Sequence, residues 1–385
     1  MLIAKGKNNI NLNTRMINRH GLIAGATGSG KSCTLQTLAE AMSREGIPVF
    51  VADVKGDLAG MAYPGNKPKI QEIANNLGIS DYTFEGNPVA FWDVYGSNGN
   101  TIKTTMSSMG VTILTRLLDL SDAQSGSLAQ IFKIASDNGI VLRNVEDIRS
   151  MTLHLLDHPE KYESQYGRMA AVSFSTLQRS LLSFEGEGQD VLFDKFGKVF
   201  DITKFLRVEN GRGVINILTA STLINSPRVY ALFLLWLLKE LFTRLPEVGD
   251  MERPFLAFFF DEAHLLFKDA PRILVDQVER LVKLIRSKGV GIYLATQNPS
   301  DIPDGVLNQL GNRIQHGMRA FTPREQKSVR TLAQTFRQNG SFDVEKTIME
   351  LRTGEALVSF LNTDGSPAMV ERAFICPPRS RIGAI

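Results

Sequence analysis

An α/β fold is what this 385-residue sequence predicts, built as a mostly parallel central sheet with a helical insertion. Three observations carry that expectation. Short apolar runs alternate with segments of helical periodicity, as crossover helices between parallel strands require. One of those runs enters a glycine-rich turn, "LIAGATGSGKSCTL" at residues 22–35, that opens directly into a helix. The strand pattern then fades between about residues 100 and 210, where apolar residues recur at helical spacing instead.

The elements follow in order. Residues 21–25, "GLIAG", read as a buried strand, and 34–46 as a helix stopped by Gly46 and Pro48. Residues 48–57, "PVFVADVKGD", read as a second strand ending in acidic residues. Further strands are expected at 213–220, 255–263, 289–297, 313–318 and 355–360. The most apolar stretch, "VYALFLLWLLKELF" at 229–242, is broken by Lys239 and Glu240 and is shorter than the ~20 apolar residues that cross a bilayer. It reads as a buried helix, and no membrane anchor or secretion signal is expected. There is no internal repeat and no low-complexity segment.

Composition narrows the class only a little. With 43% hydrophobic and 22% charged residues the chain has the make-up of a globular protein. Two cysteines, Cys33 and Cys376, cannot form a disulfide framework and match no metal spacing, so a cytoplasmic location is expected. A net charge of +3 tolerates a nucleic-acid partner without demanding one.

The glycine-rich turn satisfies G-x-x-x-x-G-K-[ST] with Gly25, Ala26, Thr27, Gly28, Ser29, Gly30, Lys31 and Ser32. Its glycines let successive N–H groups point inward at phosphate oxygens, and the helix behind adds its positive end. Lys31 reaches the β- and γ-phosphates of ATP, and Ser32 offers its hydroxyl to Mg²⁺. Cys33, next on the helix, is counted with the nucleotide-binding residues. A second site should supply the acidic partner, and "FLAFFFDEAH" does so. A strand apolar on both faces belongs in the middle of a parallel sheet, and carboxylates at its C-terminal end land in the ligand crevice. Asp261 is expected to hold Mg²⁺, and Glu262 to act as general base toward the attacking water. Gln297 of "YLATQNP" ends the following strand, where an amide can contact both γ-phosphate and water.

The succession G-A-T-G-S-G-K-S, "VADVKGD", "FFFDEAHLLF", "LIRSKGVGIYLATQNPSDIP" and "LGNRIQHGMRAFTPRE" resembles the HerA–FtsK superfamily of ring-forming, DNA-translocating ATPases, and within it a bacterial branch of HerA-like ATPases. The resemblance implies a P-loop NTPase with a RecA-like core over residues 1–100 and 210–385 and a helical insertion at 101–209. It implies a homo-hexamer with ATP at subunit interfaces, double-stranded DNA as partner, and a nuclease or other DNA-processing partner. It also implies an arginine that completes a neighbour's site. Arg286 of "LIRSKGVG" matches the position of a functional arginine in HerA proteins, and Arg313 of "GNRIQ" is a second candidate. Asp53 and Asp57 of "DVKGD" match an acidic motif that lines the nucleotide site. The terminal "ICPPRSRIGAI" resembles an arm that reaches a neighbouring subunit. In one respect the chain departs from the family: its phosphate loop begins at residue 25, so the β-barrel preceding the core of archaeal HerA is not expected, which bears on the ring and on the nuclease.

Two other functions compete. An ATP-dependent assembly switch would recruit a protein through the helical insertion without moving DNA. The letters "DEAH" also label two-lobed RNA helicases, but those carry a second ATPase lobe and a Ser-Ala-Thr motif where this chain has Ala295, Thr296 and Gln297. Lysines at 66–69 and the segment 7–15 are weak candidates for DNA contact, which would be made mainly to phosphate.

Overall fold

The computed structural model describes residues 1–96, 99–186, 189–194, 196–220, 227–249, 251–268 and 272–384. Two compact units are present, one of Met1–Phe91, Ile202–Ala231 and Leu237–Ile385, the other of Trp92–Asp201 with Leu232–Trp236.

The strands are β1 (Leu2–Lys5), β2 (Asn9–Asn11), β3 (Gly21–Ala24), β4 (Val49–Asp53), β5 (Val89–Asp93), β6 (Asn100–Thr101), β7 (Val208–Glu209), β8 (Arg212–Gly213), β9 (Ile215–Thr219), β10 (Leu256–Phe260), β11 (Val290–Thr296), β12 (Asn312–His316), β13 (Glu355–Ser359) and β14 (Glu371–Ile375). All but β7 and β8 join one sheet in the order β2-β1-β14-β13-β12-β3-β11-β10-β4-β9-β5-β6. Its centre, from β12 to β9, is entirely parallel. The stretch from β12 through β13 and β14 to β1 and β2 is antiparallel.

Composition explains this division. Strands β3, β4, β10 and β11 are buried at every position. Helices and loops therefore cover both faces, as a parallel sheet demands. Aromatic side chains fill the interior: Phe258 stacks on Phe50 with centroids 4.2 Å apart, and Phe259 stacks on Tyr293 at 4.8 Å. Each such side chain contributes ~1.5–3 kcal/mol of hydrophobic free energy. The half-exposed pattern of β14 suits an antiparallel flank instead.

The expected strands at 48–57, 213–220, 255–263, 289–297, 313–318 and 355–360 are present with trimmed ends, as β4, β9, β10, β11, β12 and β13. Strands β1, β2, β5, β6 and β14 and the β7–β8 pair are additions to the sequence reading. The apolar run at 229–242 lies within the helix Pro227–Arg244, where Phe233, Trp236 and Leu241 are fully buried. Among the described residues no helix is long and apolar enough to cross a membrane.

In the second unit, helices Asp122–Asp137, Val145–Asp157 and Ala171–Gly186 pack on one another through Leu128, Ile131, Ile148, Leu155, Leu177 and Leu181. Ser121 and Gln124 form a reciprocal cap at the start of the first, and Asn144 caps the second.

The C-terminal segment lies on its own chain. Tyr82 donates its hydroxyl hydrogen to Pro378 O (2.6 Å), and Gly65 and Glu85 donate N–H to Arg379 O. Glu40, buried in the helix behind the glycine loop, accepts from Arg379 N (2.7 Å), Ser380 N (3.1 Å) and the Ser380 hydroxyl. The arm expected to reach a neighbour thus supplies three donors to a buried carboxylate of its own unit, which otherwise has a long hydrogen bond from Gln36 at 3.4 Å. Ile385, the last residue of that expected arm, lies outside the described residues.

Two buried histidines set a pH dependence. Burial pushes His20 down to about 4 and His316 likewise, against 6.5 in an unfolded chain. As pH falls below 6.5 the unfolded chain takes up protons that the folded chain refuses, so this stability is complete above 6.5 and drains away toward 4. At pH 5 each histidine should cost ~2 kcal/mol relative to pH 8. The buried carboxylates Glu40 and Asp53, raised by burial, work in the opposite direction. Urea unfolding of His316→Gln and the parent at both pH values isolates the effect. The variant is expected to be less stable at pH 8, with the gap narrowing by ~2 kcal/mol at pH 5; an unchanged gap would refute a neutral buried His316.

Candidate active site

Four neighbouring strands deliver the site. In the order β3, β11, β10, β4, their C-terminal ends carry the glycine loop, Gln297, the Asp261–Glu262 pair and the turn holding Lys55. This edge of a parallel sheet is where ligands bind.

The glycine loop leaves β3 at Gly25, whose φ is 152°. A side chain there is also barred by space, because a Cβ would come within 2.5 Å of the His316 Cβ. Gly28 and Gly30, with φ of 75° and 114°, turn the loop into the helix α1 (Lys31–Arg44). The β12–β13 region holds the loop from behind. Ala26 N donates to Gly317 O (2.9 Å), and Gly354 N to Ser29 O (3.2 Å). His316 Nδ1 faces the carbonyl of Glu355 at 2.9 Å and must donate there, so its Nε2 accepts from the Thr34 hydroxyl at 2.7 Å.

Lys31 is 7% exposed and donates to the carbonyls of Gly25 (2.7 Å) and Ala26 (3.0 Å), so its ammonium already lies along the loop. Burial pulls its pKa down, with the charges of Glu262 and Asp261 working against that pull. Ser32 and Cys33, the next residues of α1, are half-buried. Burial raises the Cys33 thiol, so it behaves as a small neutral side chain.

Asp261 and Glu262 have different surroundings. Asp261 is 5% exposed, and burial pushes its carboxyl up to about 6, helped by Glu262 and Asp53 and opposed by Lys55. Glu262 sits at φ 51° and ψ 51°, a left-handed conformation that non-glycine residues adopt at a cost of about 1 kcal/mol or more. Its carboxylate makes an ion pair with Lys55 Nζ and lies 3.3 Å from His264 Nδ1. Burial works to raise its pKa, but the hydrogen bond and charge of Lys55 prevail and hold it below the ordinary value. Burial likewise opposes the charge of Lys55, and the same partner raises it overall.

Gln297 ties the site together. Its Nε2 donates to both Glu262 oxygens at 3.3 and 3.4 Å, and its Oε1 accepts from the Thr27 hydroxyl at 2.9 Å. One amide therefore spans the phosphate loop and the prospective base.

Asp53 plays a different part from the one its motif suggests. Buried at the end of β4, it accepts from Gly56 N (2.8 Å) and Leu58 N (3.0 Å) and shapes the turn. Asp57 is exposed. The side chain that the turn presents to the site is Lys55, which the sequence reading passed over in favour of the two carboxylates around it.

Arg286 and Arg313 lie elsewhere. They line one cavity of about 500 Å³, together with Arg19, His20 and Lys283. Arg286 precedes β11 and Arg313 stands near the start of β12, whereas the glycine loop and Gln297 follow the other ends of β3 and β11. The seven residues of β11 put ~20 Å between the levels of Arg286 and Gln297, whereas Arg313, level with Leu22 of β3, is ~10 Å from the level of Gly25. Arg313 donates to Leu310 O (3.1 Å) and Leu307 O (3.4 Å). Neither arginine joins this chain's own phosphate loop.

A divalent cation fits the remaining donors. Among the described residues no three of His, Cys, Asp and Glu form a metal cluster. Ser32 and Asp261 offer oxygens only. That suits Mg²⁺, which takes one or two protein ligands and completes its shell with phosphate and water.

This order of strand tips, with the strand bearing Gln297 between the loop strand and the acidic strand, is that of a RecA-like P-loop ATPase fold. The chain belongs to the HerA-like family, since the family described as "Helicase HerA-like C-terminal" matches residues 2–385. It is 24% identical over 358 residues to the DNA double-strand break repair helicase HerA of Sulfurisphaera tokodaii, covering 91% of this chain and 64% of that protein. It is 22% identical over 381 residues to a probable helicase of Methanocaldococcus jannaschii, covering 93% and 66%. The chain thus spans about two thirds of the length of these curated relatives. Among solved structures it resembles the plasmid coupling protein TrwB in complex with ADP and Mg²⁺, with a TM-score of 0.62, 15% identity and coverage of 96% and 86%. It also resembles VirB4 of Thermoanaerobacter pseudethanolicus, with a TM-score of 0.61, 14% identity and coverage of 100% and 96%.

The Lys55–Glu262 pair yields a test. Lys55→Met removes the cation that holds Glu262 down, so the carboxylate's pKa must rise. The acid limb of the pH profile for ATP hydrolysis is expected to move to higher pH. An unmoved limb would show that Glu262 does not govern it.

Proposed function

We propose that this chain is a Mg²⁺-dependent ATP hydrolase that works on double-stranded DNA as a translocase or helicase, in a homo-hexameric ring. The single observation that carries the hydrolase reading is the Gln297 bridge between Thr27 and Glu262, which couples a phosphate-holding loop to a buried base. Membership in the HerA-like family supports DNA as the partner.

The residues divide the work. Residues 25–33 hold the triphosphate, with backbone N–H groups and Lys31 facing its negative oxygens. When bound, Mg²⁺ neutralises charge that develops on the transferring phosphoryl group. Ser32 and Asp261 would hold it. Glu262 takes the proton of the attacking water, and Gln297 orients that water against the γ-phosphate. Lys55 releases Glu262 as the γ-phosphate offers the lysine a competing anion. Arg286, separated from its own sheet edge by the seven residues of β11, serves the site of an adjoining subunit, with Arg313 as the second candidate for that role. A nuclease or other DNA-processing partner is the natural companion of such a motor, by likeness to relatives named for double-strand break repair.

The test is ATP hydrolysis with and without linear duplex DNA, with mass followed by light scattering. Lys31→Ala is expected to lose nucleotide binding. Glu262→Gln should bind ATP normally while turnover drops by about 10²-fold or more. Duplex DNA should stimulate the parent, and the stimulation should weaken steeply as salt rises. Turnover indifferent to DNA, from a species whose assembly needs ATP but not hydrolysis, would overturn the motor reading in favour of an assembly switch.

A further inference from the structure

Tyr230 stands one turn into the helix Pro227–Arg244, which follows β9. The end of β9 belongs to the same sheet edge as the site: Thr219 pairs with Asp53, and Ala220 N donates to Asp53 O at 2.9 Å. The tyrosine is 1% exposed, and its hydroxyl has no hydrogen-bond partner among the described residues. The charges of Asp261, Asp53 and Glu262 reach it and add to burial in raising its pKa. It is therefore a neutral phenol with an unspent O–H donor.

This arrangement is costly as it stands. A buried hydroxyl without a partner forfeits its hydration, and such groups are rare in folded chains. Two of the three carboxylates are already engaged. Asp53 accepts from Gly56 and Leu58, and Glu262 is engaged by Lys55 and Gln297. Among the described residues Asp261 is the carboxylate to which no side-chain donor is committed, and in its buried setting an additional donor is valuable. Phenylalanine would fill the same apolar space, so the oxygen adds nothing to packing.

We infer that Tyr230 is a positioning residue of the metal-holding carboxylate, its hydroxyl donating to Asp261 when a metal–nucleotide complex is bound. This rests on the reading of Asp261 as the metal-side carboxylate given above. The bond would fix the rotamer of Asp261 and leave its other lone pairs for the cation or its water, as outer partners of metal-holding carboxylates do.

The experiment uses the full chain, the parent, Tyr230→Phe and Asp261→Asn. Mn²⁺ serves as a paramagnetic stand-in for Mg²⁺, its binding followed by EPR in saturating ADP. ADP affinity in EDTA and melting without ligand are measured alongside. Tyr230→Phe is expected to melt at the parent's temperature or above it, because it deletes an unpartnered hydroxyl. It should bind ADP in EDTA within twofold of the parent and lose about 5- to 20-fold in Mn²⁺ affinity. Parental Mn²⁺ affinity in Tyr230→Phe, with a loss in Asp261→Asn, would overturn the inference alone. Parental affinity in both would overturn the assignment of Asp261 and the inference with it. A ligand-free Tyr230→Phe that melts several degrees lower or fails to fold would also overturn it, since an unspent donor cannot support the empty fold.

Discussion

The contact on which the site depends is the one Gln297 makes in two directions. Its amide donates to Glu262 and accepts from Thr27, so a change at the phosphate loop has a direct route to the prospective base. Everything beneath it is arranged to make that short bridge geometrically fixed. Strand β11 lies between β3 and β10, and residues on adjacent parallel strands keep a ~4.8 Å separation. Because all three strands are buried on both faces, a slip of register would set every side chain into a differently shaped part of a close-packed core. The precision of the polar site is thus inherited from an apolar sheet.

The two acidic residues show how environment separates similar groups. Asp261 and Glu262 are adjacent and both nearly inaccessible, yet burial dominates one and an ion pair the other. The left-handed turn at Glu262 accounts for the difference, since it sends its carboxylate toward Lys55 and Gln297 rather than along the direction of β10. A carboxylate held by a lysine is a weaker base than a free one. Charge arriving at the loop is what can loosen the pair.

Much of this was legible in the sequence where the signal is local. Residues 25–32 declare a loop because glycine is needed at specific backbone angles. Residues 255–262 declare a buried strand end because apolar residues on both faces give way to two carboxylates. Signals that depend on distant pairing were silent. Strands β1 and β14 meet through Ala4 and Ile375, at opposite ends of the chain, and neither has a pattern long enough to stand alone. Lys55 lay inside a motif already noted, but an isolated lysine beside two aspartates reads as solvated charge. His316 and Tyr230 were hidden for the opposite reason. Neither residue's surroundings in sequence announce a role, and only the fold reveals that His316 supports the glycine loop and that the charges of three carboxylates reach Tyr230.

The two edges of the sheet carry opposite chemistry, and this bears on how the chain works. At the C-terminal edge Asp53, Asp261 and Glu262 gather under a loop suited to anions, so the cations there, Lys31 and Lys55, are already partly spent on carbonyls and carboxylates. At the other edge Arg19, Lys283, Arg286 and Arg313 line one cavity, with no carboxylate among its described lining residues. A single copy cannot bring these two edges together, because a rigid buried strand stands between them. Stacking copies head to tail would set the arginine edge of one against the phosphate edge of the next, and that heterologous contact closes into a ring when its rotation permits. The separation that keeps the arginines from their own loop is thus the same feature that makes a repeated assembly chemically sensible.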